Sequence, residues 1–137
     1  MPRYAAERVL LAAIDDVWAF VAEPYHLSDW WPGITGVEPD RRGTAPGARW
    51  RVLGPRYLRK ADTPSLLVVH EVVPPERLSF ELTWERLEVA LELRPVERNR
   101  TRAVLAVEGR FLLGPRRLLP KDALGRLYDL VQTAAEL

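Results

Sequence analysis

The hydrophobic pattern of this chain changes its period twice, and these changes constrain the fold more than any other feature. Residues 3–12 form an apolar run that predicts a strand, and residues 34–111 then carry segments with the period of two that is expected of half-buried strands. The final segment changes to helical spacing. Its apolar stripe comprises Leu124, Leu127, Tyr128, Val131 and Ala135. A sheet covered by one long amphipathic helix predicts an α+β domain.

Two short helices are predicted between the first strand and the sheet. Asp15 and Asp16 suit a helix N-terminus, and Pro24 disfavours helical backbone at the residue before it, so the first helix should end near residue 22. A second helix should begin at Pro24 and stop at Pro32-Gly33. The predicted order is a strand, two short helices, five to six antiparallel strands and a long helix.

The alternation within the sheet changes phase once, at Glu85-Arg86. A slip of one residue moves every following side chain to the other face, so a turn or bulge is needed there to restore one apolar face. We favour a hairpin, although these two residues are not the usual turn formers. The strands are predicted at about 34–41, 48–58, 66–73, 78–84, 87–93 and 101–111. Gly54-Pro55 predicts a bulge or an edge position, because proline has no N–H to donate.

Length and composition indicate one globular domain spanning residues 1–137. The chain is 47% hydrophobic with a formal net charge of +1, which argues against disorder and against a field that attracts nucleic acid or an anionic membrane. Without cysteine there are no disulfides, thiolate metal sites or cysteine nucleophiles. No segment resembles a signal peptide or a transmembrane helix, so we expect a cytoplasmic protein.

The sequence contains none of the common catalytic or metal-binding motifs. It has no phosphate-binding loop, no dinucleotide fingerprint and no nucleophile elbow. His26 and His70 lie far apart without metal-ligand spacing. We therefore expect no metal and no cofactor, and assign no catalytic residue.

Five aromatic side chains are the main candidates for ligand contact. Trp50, Phe80 and Trp84 fall on inferred inward faces of strands, where the same residues serve either as core or as the lining of a cavity. Trp30 and Trp31 end the second helix and either close over a cavity or anchor the helix to the sheet.

Two polar side chains complete the candidate site. His70 shares strand parity with Leu66, Val68 and Val72, so it could face the cavity and orient a ligand oxygen or act as a general base. The alternative is an outward His70, if Val69 and Val73 face inward. Tyr57 follows the suspected bulge, so the sequence alone does not decide which face of the sheet it occupies. If it faces inward, its hydroxyl is a hydrogen-bond donor to a ligand.

Several passages resemble the START-like superfamily, also described as Bet v 1-like or polyketide cyclase/dehydrase-like. Asp16-Val17-Trp18-Ala19-Phe20-Val21-Ala22-Glu23-Pro24 is similar to the first helix of that superfamily, and Ser28-Asp29-Trp30-Trp31-Pro32 to its second. Pro46-Gly47, the passage Glu71-Val72-Val73-Pro74-Pro75-Glu76-Arg77-Leu78-Ser79-Phe80 and the terminal Ala134-Ala135-Glu136-Leu137 continue the likeness in the same order along the chain.

This resemblance implies a helix-grip fold, in which a curved antiparallel sheet wraps around the C-terminal helix. It also implies a small hydrophobic or aromatic ligand in an internal cavity, bound by a monomer or homodimer. Members of the superfamily include aromatase/cyclase enzymes, and others resemble protein-binding activators of the Hsp90 ATPase. Fold alone does not choose among these functions.

Overall fold

The computed structural model describes residues 2–54, 65–109 and 117–136. The strands are β1 (Arg3–Leu10), β2 (Gly36–Glu38), β3 (Arg49–Leu53), β4 (Leu66–Val73), β5 (Arg77–Leu82), β6 (Leu87–Glu97) and β7 (Arg100–Glu108). The helices are α1 (Ile14–Val21), α2 (Leu27–Trp30) and α3 (Leu119–Glu136), and a 3₁₀ turn at Pro24–His26 leads into α2. The predicted order of elements is confirmed.

All seven strands belong to one antiparallel sheet with the order β1-β7-β6-β5-β4-β3-β2. Strands β2 to β7 are joined to their chain neighbours, as expected for a meander, whereas β1 pairs with the last strand along its whole length, from Arg3 opposite Glu108 to Leu10 opposite Thr101. The α+β helix-grip architecture is therefore the observed fold.

The hairpin predicted at Glu85-Arg86 is present between β5 and β6. Leu82 and Leu87 pair directly across it, and both are buried on the same face of the sheet. Arg86 adopts a φ of 49°, the left-handed conformation that glycine or asparagine usually supplies in such turns. This turn corrects the phase slip that the sequence shows.

Helix α3 lies over one half of the inner face. Its contacts with the sheet are mainly with β1 and β7, and it also reaches α1 and α2. Leu124, Leu127 and Val131 of the predicted stripe are buried, and the Arg8 guanidinium of β1 lies 3.9 Å from the centre of the Tyr128 ring. The stripe was therefore identified correctly for the residues whose side chains are described.

One buried polar side chain ties the start of α1 to the sheet. Thr101 on β7 is fully buried, and its hydroxyl donates to the Ala12 carbonyl at 2.7 Å. Among the described residues it is the one buried side chain that is polar or charged. The rest of the described core is apolar, apart from the N–H groups of its tryptophans.

The loop between β2 and β3 folds over the end of the sheet. The Asp40 carboxylate accepts hydrogen bonds from the backbone N–H groups of Arg49, at 2.9 Å, and Arg42, at 3.0 Å. These bonds, led by that from Arg49, lower the pKa of Asp40 from its ordinary value. The Trp50 Nε1–H donates to the Gly43 carbonyl at 2.6 Å, so this loop is anchored directly to the inner face.

Candidate functional site

Four aromatic side chains from three elements lie on the inner face of the sheet. We call Trp30, Trp31, Trp50 and Phe80 the inner aromatic cluster. Trp31 is in edge-to-face contact with Trp30, with ring centres 5.8 Å apart, and with Phe80, with centres 6.0 Å apart. Edge-to-face packing is a favoured geometry for aromatic pairs. The end of α2 is therefore held directly against β5.

Local sequence explains how these residues reach the same face. Trp50 and Phe80 alternate with exposed or half-buried neighbours along β3 and β5, so both point inward. Trp31 is the C-cap of α2 and has extended backbone, and Pro32-Gly33 follows it. The chain therefore leaves α2 at the point where its two indoles meet the sheet.

The inner aromatic cluster is closed to water. Each of its four side chains is at most 2% exposed. The inward placement predicted for Trp50 and Phe80 is confirmed, and Trp30 and Trp31 do anchor the second helix, as one of the two readings proposed. A ligand that contacts these rings has to displace part of their present packing.

The buried indole groups differ in their hydrogen bonds. Trp50 uses its N–H on the Gly43 carbonyl. The Nε1 atoms of Trp30 and Trp84 are buried as well, yet neither has an acceptor within the part of the chain that the structure describes. An unpaired buried donor costs about 1–3 kcal/mol relative to a paired one.

Trp84 lies at the rim of the inner face rather than within a strand. It follows β5 in the turn to β6, is half-buried and packs against the apolar core. The predicted strand 78–84 ends two residues earlier, at Leu82. Trp84 therefore joins the core from the turn that follows β5, outside the strand that carries Phe80.

Of the two faces that the sequence left open for His70, the structure shows the outer one. Leu67 and Val69 of β4 are buried, and the pairing with β5 slips between Val69 and Glu71, so His70 is an extra residue on the outer face. Its side chain is 42% exposed. The bulge also returns Val72 to the core side, which is why the parity of His70 with Val72 was misleading.

On the outer face His70 meets two carboxylates from the next two strands. Its Nε2 lies 3.6 Å from Glu81 Oε2 and 3.6 Å from Glu88 Oε1. Glu81 and Glu88 pair directly across β5 and β6, and Glu88 also pairs with Glu108 on β7. Partial burial, together with repulsion from Glu81 and Glu108, raises the pKa of Glu88, although His70 opposes the shift.

This outer cluster is also where the described residues could hold a metal ion. The donor atoms of His70, Glu81 and Glu88 all lie within 4.8 Å of one another. All three side chains are about one-third to one-half exposed. Exposed acidic groups are common without a bound ion, so this cluster by itself does not define a metal site.

A shallow open depression of about 300 Å³ lies on the same outer face. Ala90 and Ala106 face each other across β6 and β7 in it, and Arg3, Arg77 and Glu108 are among the longer side chains around it. Its lining mixes both charges with small apolar groups. It is a surface feature distinct from the inner aromatic cluster.

Of the candidate residues, the structure places Trp30, Trp31, Trp50, Phe80 and Trp84 at or beside the inner face and His70 on the outer face. Tyr57 lies outside the described residues. The outer cluster was not anticipated, although its signal was present in the sequence: glutamates at the polar positions of two neighbouring strands, Glu81 and Glu88, flank the Glu85-Arg86 turn almost symmetrically.

Comparison with known protein families identifies the family to which this chain belongs. The family described as "Polyketide cyclase / dehydrase and lipid transport" matches residues 1–133. Since this match covers nearly the whole chain, the protein belongs to that family. No functionally curated protein matches it.

Solved structures show the same fold at low sequence identity. A protein of Nitrosospira multiformis has a TM-score of 0.74 at 16% identity, covering 99% of this chain and 100% of that one. Protein NE0264 of Nitrosomonas europaea has a TM-score of 0.68 at 18% identity, with coverage of 98% and 97%. The Aha1 dimer of Colwellia psychrerythraea has a TM-score of 0.66 at 14% identity, with coverage of 98% and 97%. At these identities the likeness concerns the fold.

Within the described ranges, none of the helices combines the length and the apolarity needed to cross a bilayer.

Proposed function

We propose that the protein binds a small apolar or aromatic molecule between the inner face of the sheet and helices α2 and α3. The observation that carries this proposal is the inner aromatic cluster, whose rings come from the sheet and from α2 and meet edge to face. Family membership supports it, since the family is described by polyketide and lipid ligands. We expect Trp84, at the rim of the inner face, to contact the same ligand. We also expect the protein to be cytoplasmic.

Binding requires the inner aromatic cluster to open. Its rings are at most 2% exposed, whereas a bound molecule has to touch them. Helix α2 is the element suited to move, because it has only four residues and the Trp31 ring at its end contacts Phe80 of the sheet edge to face. A shift of α2 would separate Trp31 from Phe80 and admit a ring-sized ligand.

The described residues favour binding over catalysis. With His70 on the outer face, the inner face loses the general base that the aromatase/cyclase alternative needed. Thr101 is the one buried polar or charged side chain of the described part, and its hydroxyl already donates to Ala12.

The protein-interaction alternative has less support. It requires a contiguous exposed apolar patch. The exposed large hydrophobic residues of the described chain are Val9, Tyr25, Val73, Val96 and Leu118, and they come from five separate segments.

Native mass spectrometry of the purified protein tests the proposal, followed by thermal unfolding with polycyclic ketones, fatty acids and sterols. A bound molecule should copurify, or a panel member should raise Tm. At one hundred times Kd, a ligand stabilises the folded state by about 2.7 kcal/mol, which corresponds to about 10 °C for a domain of this size.

The variant His70→Leu is the matched control, because it alters only the outer face. It should respond to every ligand as the wild type does. The absence of any bound mass, together with an unchanged Tm across the whole panel, would overturn the proposal.

A further inference from the structure

The indole N–H of Trp30 is a hydrogen-bond donor enclosed in the protein without an acceptor. Trp30 is 0% exposed, and its Nε1 has no partner among the described residues. Buried indole N–H groups usually find an acceptor, since an unpaired one loses its bond to water and gains nothing. An orphaned donor of this kind marks a place where a ligand atom can complete the bonding.

Trp50 provides the comparison within the same cluster. It is the same residue type, is 2% exposed, and donates to the Gly43 carbonyl at 2.6 Å. The fold therefore supplies a backbone acceptor for one indole of the cluster. Trp30, which ends α2, has no such acceptor among the described residues.

A second tryptophan has an unpaired donor. The buried Nε1 of Trp84 finds no acceptor among the described residues, while the ring itself is half-buried at the turn after β5. Two of the tryptophans that the site gathers therefore have a buried N–H without a partner among the described residues. What each of them lacks is a hydrogen-bond acceptor.

The chemistry of the indole defines that partner. The Nε1–H group only donates, so the complementary ligand atom must be an acceptor such as a ketone, quinone or ester oxygen. The buried side chains of the described residues include no charged group that could pair with an ionised ligand. A buried unpaired charge is far more costly than a buried carbonyl, which favours a neutral molecule.

We propose that the ligand is a neutral, ring-sized apolar molecule carrying a carbonyl-type oxygen, and that the Trp30 N–H binds this oxygen. This inference rests on the proposed function and narrows it to a class of ligand. A pure hydrocarbon would fill the same space and leave the indole unpaired. Trp84 offers a second donor at the rim for a further oxygen.

The test compares 9-fluorenone with fluorene, two tricyclic molecules of the same outline that differ by the carbonyl oxygen. Affinities are measured by equilibrium dialysis against the wild type, Trp30→Phe and Trp18→Phe. The wild type should bind the ketone at least about tenfold more tightly than the hydrocarbon, as expected for satisfying one buried donor. Trp30→Phe should reduce this ratio to about one, because phenylalanine keeps an aromatic ring but has no donor.

Trp18→Phe is the matched control. It also removes an indole, but one that lies on α1, outside the inner aromatic cluster, and is half-buried, so the ketone preference should persist. If Trp30→Phe does not fold, 3-benzothienylalanine at position 30 takes its place, since it keeps the bicyclic shape and replaces the N–H by sulfur.

The outcomes separate this inference from the function on which it rests. Equal affinities of the wild type for ketone and hydrocarbon would overturn the ligand class and leave the binding function standing. A ketone preference that survives the loss of the Trp30 N–H would overturn the role of Trp30. If neither molecule binds, and no molecule copurifies, the binding function itself fails.

Discussion

One extra residue in β4 decides which charges share the outer face. The ring of His70 points outward and lies 3.6 Å from both Glu81 and Glu88, and the bulge there turns Glu71 outward as well, where it pairs with Arg77 at 2.9 Å. Without the bulge, a uniform register would place Glu71 opposite Leu78, on the inner face. Glu81 and Glu88 pair directly across β5 and β6, and like charges in this position are destabilising.

Glu88 provides a test of this electrostatic account. Its pKa is raised in the folded protein, first by partial burial and then by repulsion from Glu81 and Glu108. A raised carboxyl pKa means that the folded state binds the proton more tightly, so ionisation costs stability as the pH rises through the folded pKa. Glu88→Gln should therefore be more stable than the wild type at pH 8, by about 0.5 kcal/mol for a group this exposed.

The advantage of Glu88→Gln should shrink as the pH falls towards 4, because the wild-type carboxyl is then neutral as well. Urea unfolding at both pH values measures the difference. Glu76→Gln is the control, since Glu76 is an exposed turn residue, and its effect should be small at both values. A variant less stable than the wild type at pH 8 would contradict the account.

His70 also shows why the candidate site was only partly predictable. Strand parity assigns faces correctly as long as the register is uniform, and it did so for Trp50 and Phe80. A bulge has no reliable signature in a run such as Leu66-Leu67-Val68-Val69-His70, where both parities are apolar. The bulge gives His70 and Val72 opposite faces despite their shared parity, and it is visible only in the pairing with β5, which a single sequence does not display.

At the scale of elements, α3 is the main apolar cover of the β1 and β7 half of the sheet. Leu127 is fully buried in its stripe, whereas Leu118, just before the helix, is 53% exposed. Leu127→Ala should lower the free energy of unfolding by about 2–5 kcal/mol, because it removes buried apolar volume and leaves a cavity. Chemical denaturation measures this loss.

Leu118→Ala deletes the same atoms from a surface position and serves as the control. It should change the unfolding free energy by no more than about 0.5 kcal/mol. Similar losses for the two variants would contradict the assignment of α3 as the element that closes the core.

Periodicity predicted the existence and type of the elements better than their lengths. The strand expected at 34–41 is only Gly36–Glu38, because this edge strand has a ladder partner in β3 over just three residues. Alternation in the sequence continues beyond that point, but it does not reveal where the hydrogen-bonded partner ends. The strand expected at 66–73 was predicted at its full length.

At the scale of the whole molecule, the sheet joins the two strands that are most distant in sequence, β1 and β7. Strand β1 pairs with β7, and Thr101 of β7 binds the Ala12 carbonyl at the exit of β1. The resulting arrangement places α1 and α2 after the first strand and against the inner face. Their Trp-containing segments resembled the superfamily in sequence, which is how this long-range arrangement could be anticipated at all.

Family membership and fold do not specify the ligand, so its identity depends on the side chains of the inner face. The three solved structures above that share this architecture are each less than one-fifth identical to the chain. The inner aromatic cluster and its orphaned indoles are properties of this chain's own residues. They support a binding site at the inner face, in contrast to the mixed-charge depression on the outer one.

The most direct test of this central claim is a two-dimensional ¹⁵N–¹H NMR titration of the protein with 9-fluorenone. The account predicts saturable shifts of the indole N–H signals of Trp30, Trp31 and Trp84, together with amide shifts in α2 and β5. The amides of His70, Glu71 and Ala90 on the outer face should change little. Shifts confined to the outer face, or no saturable shift of any indole signal, would contradict it.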